Sequence, residues 1–359
     1  MFNVGVIGIG FLGGSLVKSL SKSKKVEKIV AFDKNINSLE KAYSDGVITD
    51  YATEVNEKFG DCDFVFICTP VSFIADYAIK LREYVKANCI ITDIGSTKKT
   101  ILENTKNLGI EFIGGHPMIG SERVGYETSK DLLFENSYYI ITANNSNNPQ
   151  NIEKLKELIL EIGAIPIIID AEKHDYITAV ISHVPHVVAS ALVRLVKNLD
   201  DESEIMKTLA AGGFKDITRI ASSDPIMWEN ICNENRDEVK KVLNVLLDIL
   251  KSFEEQMDSR EEIYNFFDVS KKYRDSFINK KINGNTMPEL SICIKDENGA
   301  IASIATILSE NNIGIKNIEV VNNRENNFGA LKVVVRTYEE RDKGYDIIKN
   351  LGYDVIKVN

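Results

Sequence analysis

Residues 2–13 read Phe2-Asn3-Val4-Gly5-Val6-Ile7-Gly8-Ile9-Gly10-Phe11-Leu12-Gly13. A short apolar run ends on Gly8, and the Gly8-x-Gly10-x-x-Gly13 spacing leads into a helical stretch at about 11–23. Gly8 permits a tight turn, Gly10 lets a pyrophosphate approach the backbone, and Gly13 lets the helix pack on the strand. Phe11 and Leu12 stand at the helix N-terminus, whose unpaired N–H groups and positive dipole end suit phosphates. A glycine pattern alone is weak, because a non-binding α/β fold can carry such a turn. Here Asp33 closes a second apolar run (28–33), 20 residues after Gly13. Its carboxylate would accept the ribose hydroxyls of adenosine and repel a 2′-phosphate, which favours NAD over NADP as the cofactor. Thr69-Pro70 follows the run 63–68, where the chain would line the cofactor cleft.

Working outward, further apolar or β-rich runs at 89–94, 111–114, 137–142 and 165–169 alternate with helix-like stretches at 35–44, 72–86, 97–107 and 150–162. That alternation predicts a doubly wound α/β domain over 1–170, with a parallel sheet covered on both faces. Tyr138–Ile141 is the place where strict alternation is least secure. Residues 171–283 hold no convincing strand and read as an all-α domain, with helices near 171–199, 202–211, 214–222, 225–232 and 234–256. The stretch Ile177–Leu195 is apolar over a wide surface, as expected of a subunit interface or of a central core helix. After a polar linker at 280–286, residues 287–359 read strand 289–295, helix 300–311, strands 313–322 and 328–337, helix 340–350, strand 353–358. That βαββαβ order is ferredoxin-like. Asn298-Gly299 makes its first turn and Asn326-Asn327 its hairpin loop.

The 359 residues carry a formal net charge of −10, spread along the chain. No segment offers the basic face that a nucleic acid or an anionic membrane would need. No apolar run approaches the roughly 18 residues of a membrane span. A strand beginning almost at Met1 leaves no room for a signal peptide. Cys62, Cys68, Cys89, Cys232 and Cys293 show no CxxC pairing, as expected of reduced thiols in a cytoplasmic protein.

Four segments add chemistry to the fold. They are Asp93-Ile94-Gly95-Ser96-Thr97-Lys98, His116-Pro117-Met118-Ile119-Gly120-Ser121, Ser182-His183-Val184-Pro185-His186, and the long run from Gly213 through Arg219 to Trp228. Together with the glycine loop, and in this order over about 1–280, they resemble the prephenate dehydrogenase family. The 287–359 unit resembles an ACT regulatory domain. The resemblance implies NAD-dependent oxidative decarboxylation of prephenate to 4-hydroxyphenylpyruvate in tyrosine biosynthesis, without a metal. It makes His116 the base for the substrate hydroxyl, a task that suits a neutral imidazole. Ser96 would hydrogen-bond His116 or the substrate hydroxyl, and it also stands where an N-cap for helix 97–107 belongs.

A guanidinium fork binds a carboxylate bidentately, and the resemblance implies that Arg219 holds the ring carboxylate. The resemblance makes His186 a substrate-binding group and His183 a neighbour that orients the site. Their spacing on one helix face also admits metal ligation, but no third ligand of the right kind stands nearby. Ser121, Lys215, Gly212 and Trp228 complete the implied pocket, Trp228 serving equally well as a core anchor. In the C-terminal unit Asn298, Gly299 and Asn312 would hold a regulatory amino acid, tyrosine being the economical choice, or the unit would only dimerise the chain. A homodimer is expected. Arogenate is the rival substrate, and a catalytically silent NAD- and amino-acid-sensing regulator the rival of another class. His174 has no proposed role.

Overall fold

The computed structural model describes residues 1–120, 123–144, 146–279, 288–295, 297–322 and 328–358. Ser121, the 280–286 linker and the Asn326-Asn327 loop lie outside the described residues. Two compact units divide the chain, Met1–Leu250 and Lys251–Asn359.

The first unit opens with β1 (Phe2–Ile7), α1 (Phe11–Leu20), β2 (Val26–Phe32), α2 (Ile36–Ser44), β3 (Asp50–Ala52), β4 (Phe64–Ile67) and α3 (Ile74–Leu81). It continues with β5 (Ile90–Asp93), α4 (Lys99–Thr105), β6 (Glu111–Pro117), β7 (Tyr138–Thr142), α5 (Pro149–Glu161) and β8 (Ile165–Ile168). These strands form one sheet in the order β3-β2-β1-β4-β5-β6-β7-β8. Every pairing is parallel except β6 with β7, which is antiparallel. Among the described residues no α-helix lies between those two strands, and this is where the predicted alternation fails.

Strand alternation gives the sheet two apolar faces. Val4, Val6, Phe64, Phe66, Ile90 and Ile113 pack on one face with Leu16 and Leu20 of α1 and Leu155, Leu158 and Ile159 of α5. Ile7, Val65, Ile67 and Ile91 pack on the other with Phe59, Ile74, Leu81 and Ile101. Each fully buried side chain of this kind contributes about 1.5–3 kcal/mol. The strand order reverses between β1 and β4, so a crevice opens outside their carboxyl ends.

Helices follow from Ala171: α6 (Ala171–Thr178), a π turn (Ala179–His183), α7 (Val184–Leu199), α8 (Ile205–Leu209), α9 (Gly212–Thr218), α10 (Pro225–Glu234) and α11 (Arg236–Glu255). The π turn has a cause in sequence. Pro185 has no N–H to donate, and its ring would meet the carbonyl of residue 181, so the helix widens just ahead of it. The run Ala171–Leu199 has the length and mean hydropathy, 1.6 over its best window, of a membrane-crossing helix. This departs from the sequence expectation that no such run exists. Ile181, Val193, Leu195 and Leu199 are exposed along it.

The second unit holds α12 (Arg260–Asp275), β9 (Glu289–Lys295), α13 (Ala300–Glu310), β10 (Ile315–Asn322), β11 (Phe328–Val335), α14 (Tyr338–Asn350) and β12 (Val355–Val358). Its sheet order is β10-β11-β9-β12, antiparallel throughout, as the ferredoxin-like pattern predicts. Leu290, Ile292, Leu331 and Val333 face Ile304, Leu308 and Ile348 in its core.

Candidate active site

The glycine loop sits at the strand reversal. Gly8 takes a φ of +90°, and its N–H donates to the Phe32 carbonyl at 2.7 Å. A Cβ on Gly13 would run into the Gly8 carbonyl oxygen, whereas a Cβ on Gly10 would meet nothing within 4 Å. Helix and strand are therefore close-packed at Gly13, and the loop is open to a ligand at Gly10. Asp33, just past β2, accepts the N–H of Ile9 (2.7 Å) and that of Asn35 (2.8 Å). Its carboxylate thus fixes the loop, and its remaining lone pairs stay available to ribose hydroxyls. Thr69 and Pro70 follow β4 across the same crevice. This open, glycine-lined loop with a carboxylate at the end of β2 fits a dinucleotide.

His116 lies near the end of β6, opposite Ile140 of β7, and is largely buried. Its Nδ1 is 2.8 Å from Nε2 of His174 on α6, whose Nδ1 is 2.7 Å from Oδ1 of Asp175. The proton positions follow from the last member. A carboxylate only accepts, so His174 carries its proton on Nδ1 and accepts at Nε2. His116 must then donate from Nδ1, which leaves its Nε2 bare. Burial, then the neighbouring His174, Lys98 and His183, hold the His116 pKa well below the ordinary imidazole value. Neutral His116 with an unprotonated Nε2 is the form of a general base. His174, to which the sequence assigns no role, thus sets the tautomer of His116.

Asp175 does a second task. Its Oδ1 accepts the Lys98 N–H (2.8 Å) and its Oδ2 that of Lys99 (2.9 Å), so it caps α4 from a distant helix. Burial works against its charge, but the bond from His174 and these backbone donors hold its pKa below the ordinary value. Ser96 is not the N-cap that its position predicts: α4 starts at Lys99, without a side-chain cap from Lys98. Half-buried Ser96 lies instead in the β5–α4 loop.

Beneath the loop, the Lys98 ammonium pairs with Asp93, both fully buried, and also donates to the Thr97 carbonyl at 2.8 Å. Asp93 in turn accepts the N–H groups of Gly95 (2.8 Å) and Gly115 (3.0 Å). The pair therefore ties β5 to β6 one residue ahead of His116.

On the helical side, His183 is buried at the end of the π turn, and His186 follows one turn later with Nδ1 2.9 Å from the Ser182 carbonyl. Trp228 of α10 stacks on His186 (centroids 3.7 Å apart, 26° between planes) and meets His183 edge-on at 6.0 Å. The His186 and Trp228 rings border a cavity of about 390 Å³ that Ser190, Arg194, Ser223 and Cys232 also line. Arg219, itself exposed, begins a 3₁₀ turn after α9 whose Ile220 and Ala221 are half-buried. Gly212 and Lys215 are exposed on α9, and no hydrogen bond between described residues joins them to the His116 cluster. Among the described residues no cluster of three His, Cys, Asp or Glu could hold a metal.

Comparison with known proteins agrees with this arrangement. The family model "Prephenate dehydrogenase, nucleotide-binding domain" matches residues 16–168, and "Prephenate dehydrogenase, dimerization domain" matches residues 170–271. A prephenate dehydrogenase of Bacillus subtilis (strain 168) is 32% identical over 353 residues, 95% of this chain and 94% of that one. One of Lactococcus lactis subsp. cremoris is 30% identical over 96% of each chain. A crystal structure of prephenate dehydrogenase from Aquifex aeolicus, in complex with hydroxyphenyl propionate and NAD+, is 34% identical. It superposes with a TM-score of 0.74 over 77% of this chain and 98% of that chain. With both family domains matched and relatives 30–32% identical over nearly the full length, this chain belongs to the prephenate dehydrogenase family.

Proposed function

We propose that the protein converts prephenate and NAD to 4-hydroxyphenylpyruvate, CO2 and NADH. The observation that carries this reading is the His116–His174–Asp175 relay, which holds a neutral, correctly protonated base at a strand end beside the glycine-loop crevice. The cofactor is held by Gly8, Gly10, Phe11, Leu12, Gly13, Asp33, Thr69 and Pro70. NAD, when bound, accepts the hydride from C4 of the substrate ring. His116 Nε2 takes the proton of the 4-hydroxyl as that hydride leaves, and Ser96 orients the hydroxyl. The bond from the ring to its carboxylate then breaks, CO2 departs, and its electron pair completes the aromatic ring. The new phenolate oxygen recovers the proton from His116, so the base is regenerated. The Nδ1–H to His174 stabilises the transient imidazolium through Asp175.

Arg219 binds the ring carboxylate. Because that group leaves, the contact favours the ground state, and Arg219→Gln is expected to raise KM for prephenate more than it lowers kcat. Steady-state kinetics would contradict the assignment by showing a kcat loss at unchanged KM. His186, with His183, Trp228, Ser121, Lys215 and Gly212, completes the pocket. Among the described residues, the lining of the cavity beside the His186–Trp228 stack includes Arg194 and no Asp or Glu. That charge pattern suits a keto acid and gives an ammonium no partner, which favours prephenate over arogenate.

Asp33→Ser removes the repulsion of a 2′-phosphate. It is expected to raise KM for NAD about tenfold and to bring NADP within a few-fold of NAD. An unchanged NAD-to-NADP ratio would remove Asp33 from the cofactor site.

We assign three working parts: a cofactor domain (1–170), a helical substrate and dimerisation domain (171–283) and an ACT-like regulatory domain (287–359). The exposed apolar flank of α7 supports a homodimer. In the C-terminal unit Gly299 (φ +92°) is the N-cap of α13 after the end of β9, and Asn312 (φ +56°) turns the chain into the start of β10, so the two residues shape loops at opposite ends of the sheet. Tyrosine, the end product, is the regulatory ligand we assign to Asn298, Gly299 and Asn312. The five cysteines are all unpaired, which suits a reducing cytoplasm. The test is NADH formation with each combination of prephenate or arogenate and NAD or NADP, with and without tyrosine. Prephenate with NAD is expected to be fastest, and slowed by tyrosine; no NADH with any pair defeats the reading.

A further inference from the structure

Asn235, between α10 and α11, is buried, although no sequence motif singles it out. Its amide nitrogen lies 2.8 Å from the Asp175 carbonyl and 3.1 Å from Nδ1 of His183. A peptide carbonyl only accepts, so the atom facing it is the NH2 group and the amide cannot be flipped. Its second proton then points at His183 Nδ1, which must be the acceptor. The remaining proton of a neutral His183 sits on Nε2. That atom is buried and has no hydrogen-bond partner, and the indole Nε1 of the neighbouring Trp228 is in the same condition. Two buried donors on facing rings are rarely left without an acceptor.

We infer that Asn235 is a positioning residue that locks His183 in its Nε2–H tautomer, so that this donor and the Trp228 indole N–H receive an acceptor oxygen of the bound substrate. The same amide bonds the backbone of Asp175, so the substrate-binding rings and the His116 relay share one support. Burial lowers the His183 pKa to about 4, so the ring stays neutral near pH 7 and the tautomer alone decides whether Nε2 donates.

The substrate half of this inference rests on the proposed prephenate reaction; the tautomer half does not. The test is carried out on the full chain labelled with 15N-histidine, with the His183 resonances assigned by their loss in His183→Gln. Wild-type His183 is expected to show a protonated Nε2 and a bare Nδ1. Asn235→Asp cannot donate to Nδ1 and is expected to reverse that pattern. It should raise KM for prephenate about ten- to hundredfold, with a smaller fall in kcat. In a His183→Gln background, where an amide nitrogen replaces Nε2, Asn235→Asp should change KM less than about threefold. A wild-type ring protonated on Nδ1 overturns the inference without any Asn235 variant. So does a reversed pattern with unchanged KM, or an equal KM loss in both backgrounds. Wild-type protein that makes no NADH from prephenate defeats the functional reading and the substrate half, while the ring pattern still decides the tautomer.

Discussion

His116→Asn is expected to lower kcat for prephenate by about 10²–10⁴-fold while KM and the melting temperature stay near wild type. Asparagine is the informative replacement because its amide nitrogen takes the place of Nδ1 and keeps the bond to His174 Nε2. The relay stays satisfied, and only the bare ring nitrogen that receives the proton is lost. The pH profile of the wild type is the companion result. The active form of His116 is neutral, and burial with its neighbours places its pKa well below the ordinary 6.5. Through this group kcat/KM should therefore be flat near pH 7 and fall only in acid well below 6.5. A profile that falls on the acid side at or above 6.5 would place the base elsewhere.

Lys98→Met is expected to have the largest effect on stability. Lys98 and Asp93 are both fully buried, and removing the ammonium leaves a carboxylate facing only the Gly95 and Gly115 N–H groups. Breaking a buried pair from one side costs about 3–5 kcal/mol. For a unit of this size that is a fall in Tm of roughly 10 °C, read by thermal unfolding. Asp93→Asn added to the same chain should recover part of the loss, because the uncompensated charge disappears. If the double variant melts no higher than Lys98→Met, the cost is packing and not charge. Activity should fall with the single variant as well, because Asp93 holds the Gly115 N–H next to His116.

Much of this was legible in the sequence, for reasons that differ by element. The glycine loop and Asp33 could be read because close backbone approach restricts residue type at each position. The C-terminal unit could be read because its strands alternate cleanly and its loops are short. His174 could not, because it stands outside any motif and gains its meaning only when α6 reaches the end of β6. The N-terminus of α4 was misplaced because its cap, Asp175, comes from 77 residues away from Lys98. The antiparallel β7 was only a suspicion, since an apolar run does not declare its direction. Helix α12, Arg260–Asp275, was not singled out, because charged and aromatic residues mix along it and no apolar stripe stands out. The π turn did leave a signal, Pro185 inside an apolar helix, which was not read as a local widening.

The most direct test of the central claim is a product balance from prephenate labelled in its ring carboxyl group, incubated with NAD and the full chain. The account predicts one labelled CO2 and one NADH for each 4-hydroxyphenylpyruvate formed. NADH without labelled CO2, or no NADH at all, would contradict it.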